Sequence, residues 1–138
     1  MKSSFRVKLI VGLGNPGRDY EFTPHNLGFL VLDHWLSMHS SKASPFRSTK
    51  PYHFAEVQLG DDEVYLLKPM NYMNRSGGPL RVFMQEYKIQ PEEILVIQDD
   101  VDLEWEQIKL KKNSGAGGHR GIQSIIDIFG KKFARLKV

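Results

Sequence analysis

Four polar, glycine-rich turns constrain what this chain can become: Gly12-Leu13-Gly14-Asn15-Pro16-Gly17, His25-Asn26, Tyr72-Met73-Asn74 and Ser114-Gly115-Ala116-Gly117-Gly118-His119. Each follows an apolar run that reads as a strand or precedes one that reads as a helix. In an open α/β sheet the loops at strand ends converge on one crevice, so side chains far apart in sequence can face a single ligand. Asn, His and Asp in such loops are candidates for a hydrolytic site.

Gly12, Gly14 and Gly17 satisfy the G-x-G-x-x-G spacing after the strand-like residues 7–11. A dinucleotide site also needs a helix running on from the third glycine. Pro24 interrupts the chain first, and the first convincing helical pattern covers 27–38. The spacing therefore argues for a tight turn rather than a nucleotide cofactor.

The remaining pattern alternates strands and helices. Residues 52–59 and 63–68 flank Gly60-Asp61-Asp62 and read as a hairpin. A helix over 79–88 has Pro near its first turn, where proline fits. Residues 94–98 form a short apolar run ending at Asp99-Asp100, 107–111 alternate as a strand, 121–129 have helical spacing with Gly130 as stop, and 133–138 return to β character. Residues 37–51, rich in Ser with two prolines, read as a linker between the first helix and the hairpin. The expected fold is α/β: one domain over 1–138 with a mixed open sheet and helices on both faces.

Composition narrows the compartment and the partner. With 138 residues and 41% hydrophobic content the chain suits one core, and no apolar run approaches bilayer length. The absence of cysteine excludes disulfides and thiolate metal sites and fits a reducing compartment, so a cytoplasmic location is expected. Charge is uneven: residues 1–108 carry a net −4, while Lys109, Lys111, Lys112, Arg120, Lys131, Lys132, Arg135 and Lys137 against Asp127 give the last thirty residues +7. Such a basic end suits a polyanion and predicts salt-sensitive nucleic-acid binding, unless it is an ordinary solvated surface.

Together, Gly12-Leu13-Gly14-Asn15-Pro16-Gly17, Tyr20, His25-Asn26, Gly28, Tyr72-Met73-Asn74-Arg75-Ser76-Gly77, Asp99-Asp100-Val101-Asp102-Leu103 and Gly117-Gly118-His119 resemble bacterial-type peptidyl-tRNA hydrolase in order and spacing. The resemblance spans nearly the whole chain. It implies hydrolysis of the ester between a peptide and the 3′ ribose of tRNA, which recycles tRNA, by a monomer with peptidyl-tRNA as partner and no membrane association.

The residues suit that chemistry. Ester hydrolysis needs an activated water, and an imidazole titrating near working pH can take its proton; His25 is the candidate base. A carboxylate on the other ring nitrogen fixes tautomer and orientation, a part the resemblance gives to Asp99. Amide groups of Asn15 and Asn74 can polarise the ester carbonyl. By resemblance Asn15 also helps distinguish N-blocked substrates, and Tyr20, Tyr72 and Asn74 contact the tRNA or substrate end. Structural roles compete at each position: His25 as a helix cap, Asn15 as a turn residue, Tyr72 as core. Asp99, Asp100 and Asp102 together could hold Mg²⁺, but the ester chemistry needs no metal, and no cofactor is expected.

Three departures from the family pattern stand out. Pro24 replaces the usual basic residue before the histidine, and Arg120 stands where an Asn is usual, so that a phosphate contact is the expectation for Arg120. The chain also ends after a strand where family members continue into a lid-like segment and a C-terminal helix, and C-terminal truncation is expected. The competing expectation is an RNA-binding relative that has lost catalysis.

Overall fold

In the computed structural model the described residues are 7–14, 26–39, 43–49, 51–70, 75–98, 109–112, 115–116 and 119–137. They form β1 (Leu9–Gly12), α1 (Leu27–Met38), β2 (Arg47–Thr49), β3 (Tyr52–Leu59), β4 (Asp62–Pro69), α2 (Gly77–Tyr87), β5 (Ile94–Gln98), β6 (Lys109–Lys112), α3 (Arg120–Phe129) and β7 (Ala134–Lys137).

All seven strands belong to one sheet in the order β2-β3-β4-β1-β5-β7-β6. β4, β1, β5 and β7 run parallel in its centre. β3 and β2 extend one side and β6 the other, all antiparallel to their neighbours. The expected mixed sheet is therefore present, with the parallel strands carrying their C-terminal ends to a common edge.

Alternation along the strands divides the core in two. Leu9, Val11, Leu67, Ile94 and Val96 face one side, where Leu80, Phe83 and Met84 of α2 and Ile122 and Ile125 of α3 cover them. Ala55, Val57, Leu66 and Ile97 face the other side, covered by Leu32 of α1. Each fully buried aliphatic or aromatic side chain contributes roughly 1.5–3 kcal/mol by leaving water. Helices thus lie on both faces, as the residue order implies.

Local chemistry explains most boundaries. The β3–β4 hairpin pairs Leu59 with Asp62, and Gly60 turns the chain with φ at +62°, a value glycine adopts without strain. α2 ends at Lys88, in the left-handed region, where the N–H groups of Lys88 and Ile89 both reach the Met84 carbonyl. α3 stops at Gly130.

β1, β4, α3 and β7 shift by one or two residues from their expected bounds, and three further elements differ from expectation. α2 begins two residues before Pro79, because Gly77 and Gly78 continue the helix against α3. β2 lies inside the stretch expected to be a linker and is held by pairing with the first residues of β3. β6 ends at Lys112 rather than 111, while residues 107–108 lie outside the described residues. Among the described residues no helix is long and apolar enough to cross a membrane.

Candidate active site

β1, α1 and β5 meet at the C-terminal edge of the parallel strands. The Leu13 N–H donates to the Ile97 carbonyl at 3.1 Å, extending the β1–β5 pairing beyond the end of β1. The first turn of α1 packs directly on this junction. A Cβ at Gly28 would come within 2.5 Å of the Leu13 carbonyl oxygen and 2.8 Å of the Ile97 carbonyl oxygen. A Cβ at Gly12 would meet the Gly28 carbonyl, and one at Gly14 would come within 2.9 Å of Asn26 Oδ1. At Gly28, and mainly at Gly12, the obstructing atoms are backbone, so side chains there would force the elements apart, whereas at Gly14 they belong to the side chains of Phe29 and Asn26.

This interlock positions chain segments that adjoin the candidate residues in sequence. Gly14 precedes Asn15, Asn26 follows His25, and Gln98 precedes Asp99. Asn26 is buried at the cap position of α1, with no side-chain capping hydrogen bond to the helix. On the same edge β4 ends at Pro69, before Tyr72 and Asn74. The helix following them is seated on α3: the Gly77 N–H donates to Ser124 Oγ at 2.9 Å, and a Cβ at Gly77 would come within 2.5 Å of the Ser124 carbonyl oxygen.

Asn15, Tyr20, His25, Tyr72, Asn74 and Asp99 themselves lie outside the described residues. So do Asp100, Asp102, Pro24, Gly117 and Gly118. Arg120 is described: it is the exposed first residue of α3, at the end of the helix where positive dipole and side-chain charge add. His119 caps that helix, its Nδ1 accepting the Ile122 N–H at 3.2 Å.

The other described histidines lie elsewhere. His39 Nδ1 lies 3.0 Å from the Trp35 carbonyl oxygen at the far end of α1. His53 Nε2 lies 3.1 Å from Ser48 Oγ in the β2–β3 pair, and burial, reinforced by the Lys68 charge, lowers its pKa from the usual value. His34 is exposed on α1. None of them offers a base beside the β1–α1–β5 junction. Among the described residues there is also no cluster of His, Asp and Glu able to hold a metal ion.

Two polar groups near this edge escape sequence reasoning. Lys68, at the end of β4, pairs with Asp33 of α1 and places Nζ 4.2 Å from the Phe46 ring centroid and 5.6 Å from that of Phe29. Arg135 counts as surface charge in the sequence, but it is 0% exposed and donates from Nη1 to the Gly115 carbonyl at 2.8 Å. It therefore does not join the basic surface. Its position in the alternation of β7, on the same face as Val96, is the signal that could have revealed this.

A mixed α/β sheet whose parallel strands end on a common edge belongs to the class of open α/β domains, which bind ligands beyond the carboxyl ends of those strands. Comparison with known proteins is specific within that class. The family described as Peptidyl-tRNA hydrolase matches residues 9–138. The chain is 43% identical over 133 residues to the peptidyl-tRNA hydrolase of Aquifex aeolicus, covering 96% of this chain and 68% of that protein. It is 41% identical to the enzyme of Desulforamulus reducens, covering 96% of this chain and 64% of that protein. The crystal structure of peptidyl-tRNA hydrolase from Acinetobacter baumannii superposes with a TM-score of 0.91 at 35% identity, covering 99% of this chain and 70% of the other. The chain belongs to the peptidyl-tRNA hydrolase family and spans about two thirds of the length of these relatives.

Proposed function

We propose that this chain hydrolyses the ester linking a peptide to the 3′ ribose of tRNA, with His25 as general base. Family membership supports the reaction. The observation that carries the local assignment is the Leu13–Ile97 hydrogen bond with Gly28 packed over it, because it gathers the segments adjoining Asn15, His25 and Asp99.

His25 takes a proton from water as the oxygen attacks the ester carbonyl carbon. Asp99 accepts a hydrogen bond from the other ring nitrogen and stabilises the imidazolium that forms. Amide N–H groups of Asn15 and Asn74 donate to the carbonyl oxygen as negative charge develops on it. The tetrahedral intermediate collapses with cleavage of the bond to the ribose oxygen, and the imidazolium returns its proton there. The products are the peptide carboxylic acid, which gives its proton to water, and tRNA with its 3′ hydroxyl restored.

Tyr20 and Tyr72 bind the substrate end, with aromatic faces that can stack on unpaired bases. Arg120 binds a phosphate, consistent with its exposure at the start of α3. Residues 1–138 act as one catalytic domain, monomeric and cytoplasmic, with no metal or cofactor in the chemistry. The test is turnover of an N-acetylated aminoacyl-tRNA beside the free aminoacyl-tRNA. Cleavage confined to the blocked substrate is expected; tRNA binding without cleavage by folded protein would refute the hydrolase assignment.

A further inference from the structure

Arg135 lies in the middle of β7 on the face shared with α2 and α3, beside Val96 of β5. It is fully buried, and its guanidinium carbon lies 5.4 Å from the Phe133 ring centroid. No carboxylate among the described residues pairs with it. Nη1 reaches the Gly115 carbonyl at 2.8 Å, while Nε and Nη2 have no hydrogen-bond partner. On the same sheet face, Gln98 is also buried with Oε1 unpartnered. Burying a cation without a counter-charge is unfavourable, so this arrangement is poorly explained by stability alone.

The single bond that Arg135 makes leads toward the start of α3. Gly115 is followed by Ala116, whose carbonyl accepts the His119 N–H at 3.0 Å. His119 then caps α3 through Nδ1, and its own carbonyl accepts the Gln123 N–H at 3.0 Å. The first residue of the helix so held is Arg120. A rigid guanidinium fork, fixed in the sheet, is a firmer anchor for a backbone carbonyl than a flexible ammonium would be.

We infer that Arg135 is a buried positioning residue for substrate binding, fixing the Gly115–Ala116 segment and through His119 the orientation of Arg120 at the start of α3. The inference deepens the peptidyl-tRNA assignment and rests on it for the ligand. The physical anchoring does not depend on that assignment. Arg135 touches no substrate; it acts through the backbone.

Two measurements on Arg135→Met test this. Hydrogen exchange reads the anchor: the His119 and Ile122 amides should exchange at least tenfold faster, because both bonds depend on the tethered segment. Steady-state hydrolysis of N-acetylated aminoacyl-tRNA reads the consequence: KM should rise roughly tenfold with kcat within about threefold, as expected when a binding group is misplaced but the chemistry is intact. Arg135→Lys, which keeps the charge and a donor group but not the planar fork, should give intermediate values of both and serves alone if the Met variant fails to fold. Unchanged exchange, or faster exchange with KM unmoved, would overturn the inference, as would a lowered melting temperature with wild-type KM. If the parent chain does not hydrolyse the substrate, the functional assignment fails, and unchanged tRNA affinity in the Arg135 variants would then overturn the positioning role separately.

Discussion

Gly28 packs against Leu13 so closely that a single methyl group on it would come within 2.5 Å of the Leu13 carbonyl oxygen. The contact locks the first turn of α1 to the end of β1, and the Ile97 carbonyl of β5 closes the third side. The three atoms nearest that methyl group are all backbone, and backbone cannot rotate away as a flexible side chain could.

Gly28→Ala should therefore displace α1. The expected cost is about 1–3 kcal/mol of stability, the range for overpacking a dense interior. A shift of about 1 Å at the start of α1 should lower kcat about a hundredfold if the adjoining His25 is the base. Denaturant unfolding and single-turnover hydrolysis on the same preparation check both. Gly78→Ala is the matched control, since nothing lies within 4 Å of the methyl group it would add.

Arg120→Ala should weaken tRNA binding while leaving the chemical step nearly intact. One lost phosphate contact lowers the magnitude of the slope of log K against log salt by about 1. Binding titrations at several salt concentrations measure it. An unchanged slope would place Arg120 away from phosphate.

Glu63 titrates above the usual carboxylate value, first because it hydrogen-bonds Glu56, then through burial and the Glu56 charge. A carboxyl group whose pKa is raised by folding contributes stability at low pH, and this is lost as pH rises through the folded value. Glu63→Gln keeps a donor toward Glu56 and removes the repulsion. Its melting temperature should exceed that of the parent at pH 7, and the gain should shrink on acidification below the range in which Glu63 titrates.

The sequence makes the fold largely legible where periodicity and punctuation agree. Residues 27–38 and 94–98 match α1 and β5 to the residue, and Gly130 ends α3 as its spacing implies. β2 is hidden because three residues are too few to show alternation, and pairing with β3 supplies the order that Ser and Pro disfavour. The start of α2 is hidden because Gly77 and Gly78 read as helix breakers, whereas Gly77 is required by the approach of Ser124. Arg135 shows the limit of charge counting: only the register of β7 reveals that it points inward.

The chemistry of the candidate site is legible from residue types, and its membership of one site comes from the family pattern. His, Asp and Asn side chains in turns suggest hydrolysis, yet nothing local to His25 distinguishes a base from a helix cap. The interlock of Gly12, Gly14 and Gly28 could not be read from spacing, because it depends on the approach of α1 to strands distant in sequence.

Hydrolysis of N-acetylated aminoacyl-tRNA by the chain and by its His25→Ala variant tests the central claim most directly. The account predicts cleavage by the parent and a loss of about 10²–10⁴-fold in kcat in a variant of unchanged stability, the usual contribution of a positioned general base. Full activity in folded His25→Ala would contradict it.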